Sequence, residues 1–254
     1  MPHLRLGARA SDGRIDKTRQ LGTQGARAAS GATQRGSVRL TTSVAYGQTL
    51  IVPLLADLHA LHPGLEIELL LSDAVFDLVA ERIDLALRLG PAVDSALVGF
   101  QLARVAYRVV ASPAYLARHG RPERPGELAD RDCLRFALPG FRSQWRFRSP
   151  AGAEQSVDVR GWLLLSTAMA VHQAALDGLG PALLADWLAG PDIAAGRLVD
   201  LFPDHEVTAA DFDRGIWLLY ASRAYLPGRV RAVIDFLKAR LGEAQPGLKK
   251  PNSN

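Results

Sequence analysis

Hydrophobic patterning begins at Val38. There Val38 and Leu40 alternate with polar neighbours over residues 37–43, the period of two that a half-buried strand requires. Past a Tyr46-Gly47 turn, Leu50, Leu54, Leu58 and Leu61 recur on one helical face, and Pro63-Gly64 stops that helix. Residues 65–71 are an apolar run of strand length. Asp73 then stands as N-cap to a short helix carrying Val75, Leu78 and Val79, and residues 83–89 read as another strand. Strand, helix, strand, helix, strand is the order that right-handed crossovers impose on a mainly parallel sheet with helices on both faces.

The pattern then repeats. Residues 107–111 read as a strand, Pro113 opens a short helix through Leu116, and the Pro- and Gly-rich residues 120–126 make a surface connection. Residues 133–138 and 157–165 are two further strands. Ser166 or Thr167 caps a helix running to Asp177, with Gly178 at the position that favours a left-handed residue. After a pass of short elements to Leu201, residues 216–220 form an apolar strand. Pro227 then opens a helix with Val230, Val233, Ile234, Leu237 and Leu241 on one face. Two α/β modules closed by a late strand and helix predict two lobes, with no fixed-period repeat or heptad.

At 254 residues the chain is roughly 1.7 times an average domain of ~150. Hydrophobic residues at 48% and charged residues at 22% exclude a wholly disordered, collagen-like or disulfide-dense chain. The net charge of +4 and pI near 9.5, taken alone, suggest an acidic partner such as nucleic acid. Location changes that picture. Residues 1–36 hold seven basic residues against two acids, so this stretch carries +5 and leaves −1 for the remainder. With six glycines and only five residues of the Met, Leu, Ile, Val and Phe type, it reads as a disordered basic tail. Residues 243–254 read as a frayed C-terminus. Such a tail would bind DNA weakly and without sequence preference. The lone Cys133 excludes an intrachain disulfide and a thiolate-rich metal cluster. No signal-peptide run opens the chain and no stretch reaches ~20 apolar residues, so the expectation is a cytoplasmic protein with no membrane partner.

Longer stretches carry a more specific signal: GSVRLTTSVAYGQTLIVPLL at 36–55, HPGLEIELLLSD at 62–73, DLALRLG at 84–90, and VVASPAYLARHGRPERPGELADRDCL at 109–134. DGLGPALLADWL at 177–188, AGRLVDLFPD at 195–204 and YLPGRVRAVIDFLKARL at 225–241 continue it. Together they resemble the effector-binding (substrate-binding) domain of LysR-type transcriptional regulators. The resemblance implies an α/β, type II periplasmic-binding-protein-like fold of two Rossmann-like lobes with a cleft between them. It implies crossing segments near residues 107–111 and 216–220, with residues 37–106 and 216–242 forming lobe I and residues 107–215 forming lobe II. It further implies a side-by-side antiparallel dimer in which the helix near residues 50–61 packs on the partner's helix near residues 168–176. Some positions depart from the family: Ala221 where proline is common, Pro181 in place of a β-branched residue, and Ser166-Thr167 where asparagine is frequent. The family's winged helix-turn-helix and linker helix have no counterpart in residues 1–36, so the expectation is a sensing domain lacking its DNA reader.

Ligands of open α/β sheets bind beyond the carboxyl ends of the strands, where helix N-termini meet the crevice. Residues 43–48 and Ser166-Thr167 are two such places. Each offers helix-terminal amides and the positive end of a helix dipole, which favour an anion and above all a carboxylate. Ser43, Tyr46, Gly47 and Gln48 on one wall and Ser166 and Thr167 on the other are candidate effector contacts, beside the plainer reading that these hydroxyls only cap and close turns. Arg88, charged within an apolar strand, either neutralises an acidic effector or pairs with Asp73 or Asp84. Phe136 and Trp145 either line the second wall or sit in the core. No catalytic, metal or cofactor site is read. Cys133 with His119 or His172 lacks a nucleophile signature, His59 and His62 lack further ligands, and Gly178-Leu179-Gly180 is no phosphate loop. The functional expectation is LysR-like sensing of a small anionic effector, changing the geometry of a homodimer or of a heterodimer with full-length relatives, and so transcription. DNA becomes a partner only if an N-terminal reader is restored. The competing expectations are a stand-alone effector binder or decoy, and an exported solute-binding protein.

Overall fold

The computed structural model describes residues 34–74, 77–90, 97–138, 140–220 and 226–243. Strand β1 (Gly36–Thr42) passes through Ser43 into one helical run: α1 (Val44–Tyr46), a π-helical turn (Gly47–Ile51), a 3₁₀ turn (Val52–Leu54) and α2 (Leu55–Leu61). The run changes its winding around Pro53, which has no N–H to give to the preceding turn. Next come β2 (Leu65–Leu71), β3 (Leu85–Gly90), β4 (Val98–Arg104), β5 (Tyr107–Ala111), α3 (Pro113–His119) and a 3₁₀ turn (Pro125–Asp130). Then follow β6 (Arg135–Phe136), β7 (Gln144–Arg148), β8 (Glu154–Asp158), β9 (Leu164–Leu165) and α4 (Ala168–Leu176). β10 (Ala182–Ala185), α5 (Asp186–Ala194), β11 (Val199–Asp200), β12 (Glu206–Thr208), β13 (Gly215–Tyr220) and α6 (Gly228–Glu243) complete the order.

The first sheet runs β2-β1-β3-β13-β4. Its β2, β1 and β3 are parallel, as the strand–helix alternation predicts, whereas β13 and β4 join antiparallel. Register pairs put Val38, Leu40, Leu85, Leu87, Ile216 and Leu218 on one face, where they share a core with Ile51 and Leu58 of the helical run and Val230, Val233 and Leu237 of α6. Both helices therefore cover the same face, and among the described residues the opposite face carries a smaller cluster of Leu78, Ile83, Ala86 and Leu219. The alternation explains it. Arg39 on that second face donates to Glu81 O and pairs with Glu68 at 3.1 Å, so a polar turn lies there. Arg240 and Asp57 join α6 to α2 at 3.0 Å, but half-exposed pairs contribute under ~1 kcal/mol, so the shared apolar face carries the packing.

The second sheet runs β10-β5-β12-β7-β8, with β11 also on β5, and every pairing among these strands is antiparallel. The repeat of a parallel module is thus corrected, because β10, β11 and β12 return beside β5 instead of crossing over. Parallel pairing survives at one end, where β6 lies along β9 and Leu134 bridges to Ala182. One face, with Val110, Ala182 and Leu184, is covered by Val171 and Ala175 of α4 and Leu188 of α5. The other holds Val109, Leu128, Cys133, Trp145, Phe147 and Phe202.

Two segments join the sheets, residues 105–106 between β4 and β5 and residues 209–214 between β12 and β13. They run side by side, with Val105 N–H donating to Arg214 O at 3.0 Å. They directly precede the strands near which the crossings are expected, β5 of the second sheet and β13 of the first. The helix expected after Asp73 is, over residues 77–82, a turn in which Asp77 Oδ1 accepts from Val79 and Ala80 N–H; Val75 and Phe76 lie outside the described residues, as does Ala221.

Candidate functional site

The carboxyl ends of β1 and β9 feed α1 and α4, and these two helices meet. Ala45 of α1 belongs to the same buried cluster as Val171 and Ala175 of α4, so the two helices, one from each sheet's side, pack on one another. Ser43 is extended, with φ −62° and ψ 152°, and its Oγ accepts from Tyr46 N–H at 3.4 Å. Gly47 N–H returns to Ser43 O at 2.9 Å. On the facing wall Thr167, also extended, accepts from Ala170 N–H at 3.2 Å, so Thr167 and not Ser166 is the cap; Ser166 is exposed.

Tyr46 is only 1% exposed. Its ring stands edge-on to Trp187 of α5 at 5.2 Å, and burial drives its hydroxyl well above the usual tyrosine range. Trp187 packs against the cores of both sheets. Gly47 is buried because a Cβ there would sit 2.1 Å from Leu71 Cδ2, whereas Gln48 is exposed. Arg88 turns toward the end of β2: its Nη1 donates to Ala74 O at 3.1 Å, burial lowers its pKa, and the charge of Asp73 opposes that lowering. Phe136 is half-buried at the end of β6, against Phe141 at 5.9 Å. Trp145 does not join this group. At 1% exposure it fills the core behind the second sheet, so its place as a wall residue is corrected to packing.

Two residues not singled out from the sequence, Tyr107 and Asp186, lie beside the first crossing, where Asp186 N–H donates to Ala106 O at 2.9 Å. Tyr107 opens β5 and lies 5.4 Å from Phe141. Burial raises the Tyr107 pKa and Arg214 counters it. Asp186 starts α5 and accepts from Trp187 N–H at 2.8 Å; burial pushes its carboxyl above the usual range. The usable signal was positional, since Asp186-Trp187 follow the carboxyl end of β10 as Ser43 follows β1. Asp73, read as the cap of its own helix, instead caps α1, accepting from Val44 N–H at 3.2 Å.

Cys133 is buried, its Sγ donates weakly to Leu128 O at 3.6 Å, and burial pushes its thiol up to about 12. His172 bonds Asp192 at 2.6 Å and His119 stacks on Tyr115 at 4.6 Å, so both candidate bases are engaged elsewhere. A roomier cavity of about 620 Å³ lies on the surface between α3, Asp130, Trp162 and Leu179, away from the helix starts.

Residues 31–242 match the family described as the LysR substrate binding domain. The chain belongs to the LysR family. Among LysR-type relatives, the HTH-type transcriptional regulator DmlR of Escherichia coli is 31% identical over 216 residues, covering 84% of this chain and 68% of DmlR. PtxR of Pseudomonas aeruginosa, also named an HTH-type transcriptional regulator, is 36% identical over 180 residues, covering 71% of this chain and 56% of PtxR. The regulatory domain of CrgA, a LysR-type transcriptional regulator from Neisseria meningitidis, superposes with a TM-score of 0.73 at 29% identity, over 82% of this chain and 100% of that domain. The full-length Vibrio cholerae virulence activator AphB gives 0.71 at 26% identity, over 82% of this chain and 69% of AphB. These relatives are regulators by name, and the fold they share is the two-lobed α/β regulatory domain.

Proposed function

We propose that the crevice between α1 and α4 is an effector site, that its ligand is a small carboxylate, and that binding changes the angle between the lobes, and through a dimer the output of a LysR-type regulator. The lobes are taken as residues 37–106 with 216–242, and residues 107–215. The single observation that carries this reading is the convergence of two capped helix starts from different lobes, with Ala45 of one packed into the core beside the other. The amides at the start of α4 favour a carboxylate, those at α1 being largely occupied by Asp73 and Ser43. Ser166 and Thr167 would orient it, Phe136 would line the wall, and Tyr46 with Trp187 would register any change of lobe angle. In this reading the chain is not an enzyme, acts in the cytoplasm, and pairs with a second copy or with full-length relatives.

Specific DNA recognition is assigned to a segment other than residues 34–243, since the described helices are used to cover the two sheets. A gel-shift titration checks this: binding that is weak, equal on unrelated duplexes and lost at high salt is expected, and a sequence-specific shift would refute it. For the effector site, a thermal-shift screen of small carboxylates on the purified chain is the direct test. At least one should raise the melting temperature, and Thr167→Ala or Ser166→Ala should diminish that rise. A hit whose response is the same in both variants would place the ligand elsewhere.

A further inference from the structure

We infer that the surface cavity at the C-terminal end of α4 is a ligand site of its own, and that it takes a free amino acid with an aromatic or large apolar side chain. The cavity holds about 620 Å³, within the range of roughly 300–1,000 Å³ that small-molecule sites occupy. Its walls are fixed by backbone contacts. Gly161 and Gly180 lie so close to residues 132–133 that a Cβ would sit 2.1 Å from Cys133 O and 2.4 Å from Asp132 O, which locks the segments carrying Trp162, Asp132 and Leu179 together. Cys133 N–H donates to Arg160 O at 2.8 Å and Leu134 N–H to Pro181 O at 2.7 Å across the same joins. On the α3 side Arg118 Nη2 donates to Gly178 O at 2.6 Å, and Arg131 Nη1 donates to His119 O at 3.1 Å and Gly120 O at 2.8 Å. Both guanidiniums are therefore in place before a ligand arrives.

Trp162 is 69% and Leu179 42% exposed, and both line this cavity. An indole left in solvent beside a preformed hollow offers its face to a flat apolar group. The polar lining carries both signs. Glu127 already accepts from Glu123 N–H and Arg124, and Asp130 lies 3.6 Å from Arg160, so those carboxylates are matched within the chain. Among the described residues the Asp132 carboxylate has no hydrogen bond or ion pair, and Arg131 uses only Nη1. What is left for a ligand is one charged acceptor, one charged donor edge and an aromatic face. A lone carboxylate would be repelled by Asp132 and a lone amine by Arg131 and Arg118, whereas a zwitterion is bonded by both signs with its side chain on Trp162. The cavity lies beyond the last residue of α4, one helix length of roughly 14 Å from Thr167, so this inference stands apart from the effector-site reading.

Three probes share one ring and differ in charge: L-phenylalanine, phenethylamine and 3-phenylpropanoate. Each is titrated into the whole nitrogen-15-labelled chain and followed by nuclear magnetic resonance. The four tryptophans give indole N–H signals, and Trp162→Phe identifies its own by loss. L-Phenylalanine should move the Trp162 signal with a dissociation constant of about 1 mM or below, and each analogue should bind at least about tenfold more weakly. Asp132 is exposed, so Asp132→Asn should keep the melting temperature while the preference for L-phenylalanine over 3-phenylpropanoate is lost or reversed. Thr167→Ala should leave L-phenylalanine affinity within about twofold. A Trp162 signal that stays still to about 10 mM L-phenylalanine, or that either analogue moves equally well, overturns the inference. So does an unchanged probe order in Asp132→Asn, and so does an L-phenylalanine response lost in Thr167→Ala but kept in Asp132→Asn, which would put the ligand at the other end of α4.

Discussion

At Gly47 two local preferences oppose each other, and which prevails is measurable. The backbone there is ordinary right-handed helix, φ −61° and ψ −50°, so alanine would be favoured by about 1 kcal/mol on propensity. A Cβ, however, would meet Leu71 Cδ2 at 2.1 Å and Thr42 Cγ2 at 3.0 Å, and overpacking costs about 1–3 kcal/mol. Gly47→Ala should therefore lower the urea midpoint by the equivalent of about 1 kcal/mol; a stabilised variant would mean that Leu71 swings away without cost. Cys133 gives a pH signature. Its folded thiol is raised from 9.0 to about 12 by burial, so the native state holds its proton longer than the unfolded chain. Its contribution is full below pH 9.0 and is lost as pH rises toward 12, at a slope of at most ~1.4 kcal/mol per pH unit. Stability of the unaltered chain should fall faster than that of Cys133→Ala across this window, and parallel curves would show the thiol to be accessible. Capping residues were legible from sequence because a cap needs only its own helix: Ser43 and Thr167 take the roles their spacing implies. Asp73 was not, because its partner Val44 lies 29 residues away and only the fold brings the two together.

Among elements, the junction of α4 and α5 depends on one buried carboxylate. Asp192 is 4% exposed and accepts from His172 of α4 and from Arg197 beyond the end of α5, while its carbonyl takes Arg197 and Leu198 N–H. Burial alone would raise its pKa, but Arg197 and His172 together hold it below the usual carboxylate value. This stability is therefore present above the ordinary 3.8 and is lost as pH falls through the depressed value. Asp192→Asn should cost about 2 kcal/mol near neutral pH by chemical denaturation, with the deficit shrinking in acid. A constant deficit would mean that shape and not charge matters here. Strong local patterns predicted β1, β2, β3, β5, β13 and α6. The stretch 157–165 was read as one strand because its apolar residues run on, yet it divides between β8 and β9, which pair with different neighbours. β7 went unread because its Gln, Arg and Arg positions mask the alternating Trp145 and Phe147, whose burial comes from the second sheet's far core. β4 went unread although Val98, Phe100 and Leu102 alternate, since nothing local says that it pairs with β13 at the other end of the chain.

For the whole molecule, two lobes were legible from the late strand and helix, but the antiparallel second sheet was not, because pairing direction depends on returns made by short, weakly patterned segments. The assembly that would translate lobe motion into output is the last consequence to test. The run Val44–Leu61 is 18 residues long and apolar enough by length and composition to cross a membrane, yet only 28% of it is buried within the chain. Ile51 and Leu58 pack into the first sheet's core, while Val52 is 46% and Leu61 61% exposed. Part of this run's apolar surface is thus spent on folding and part is left exposed, available to close against a second copy. An antiparallel pairing would set it on the partner's α4, next to the helix start proposed to bind the effector, so ligand and subunit contact would share one element. Val52→Glu with Leu61→Glu should leave far-ultraviolet circular dichroism unchanged and convert a dimer to a monomer by analytical ultracentrifugation, since an unpaired charge buried against the partner's α4 costs several kcal/mol. An unaltered chain that sediments as a monomer at high micromolar concentration, or a double variant that remains dimeric, would remove this surface from the mechanism and leave the crevice to act within one subunit.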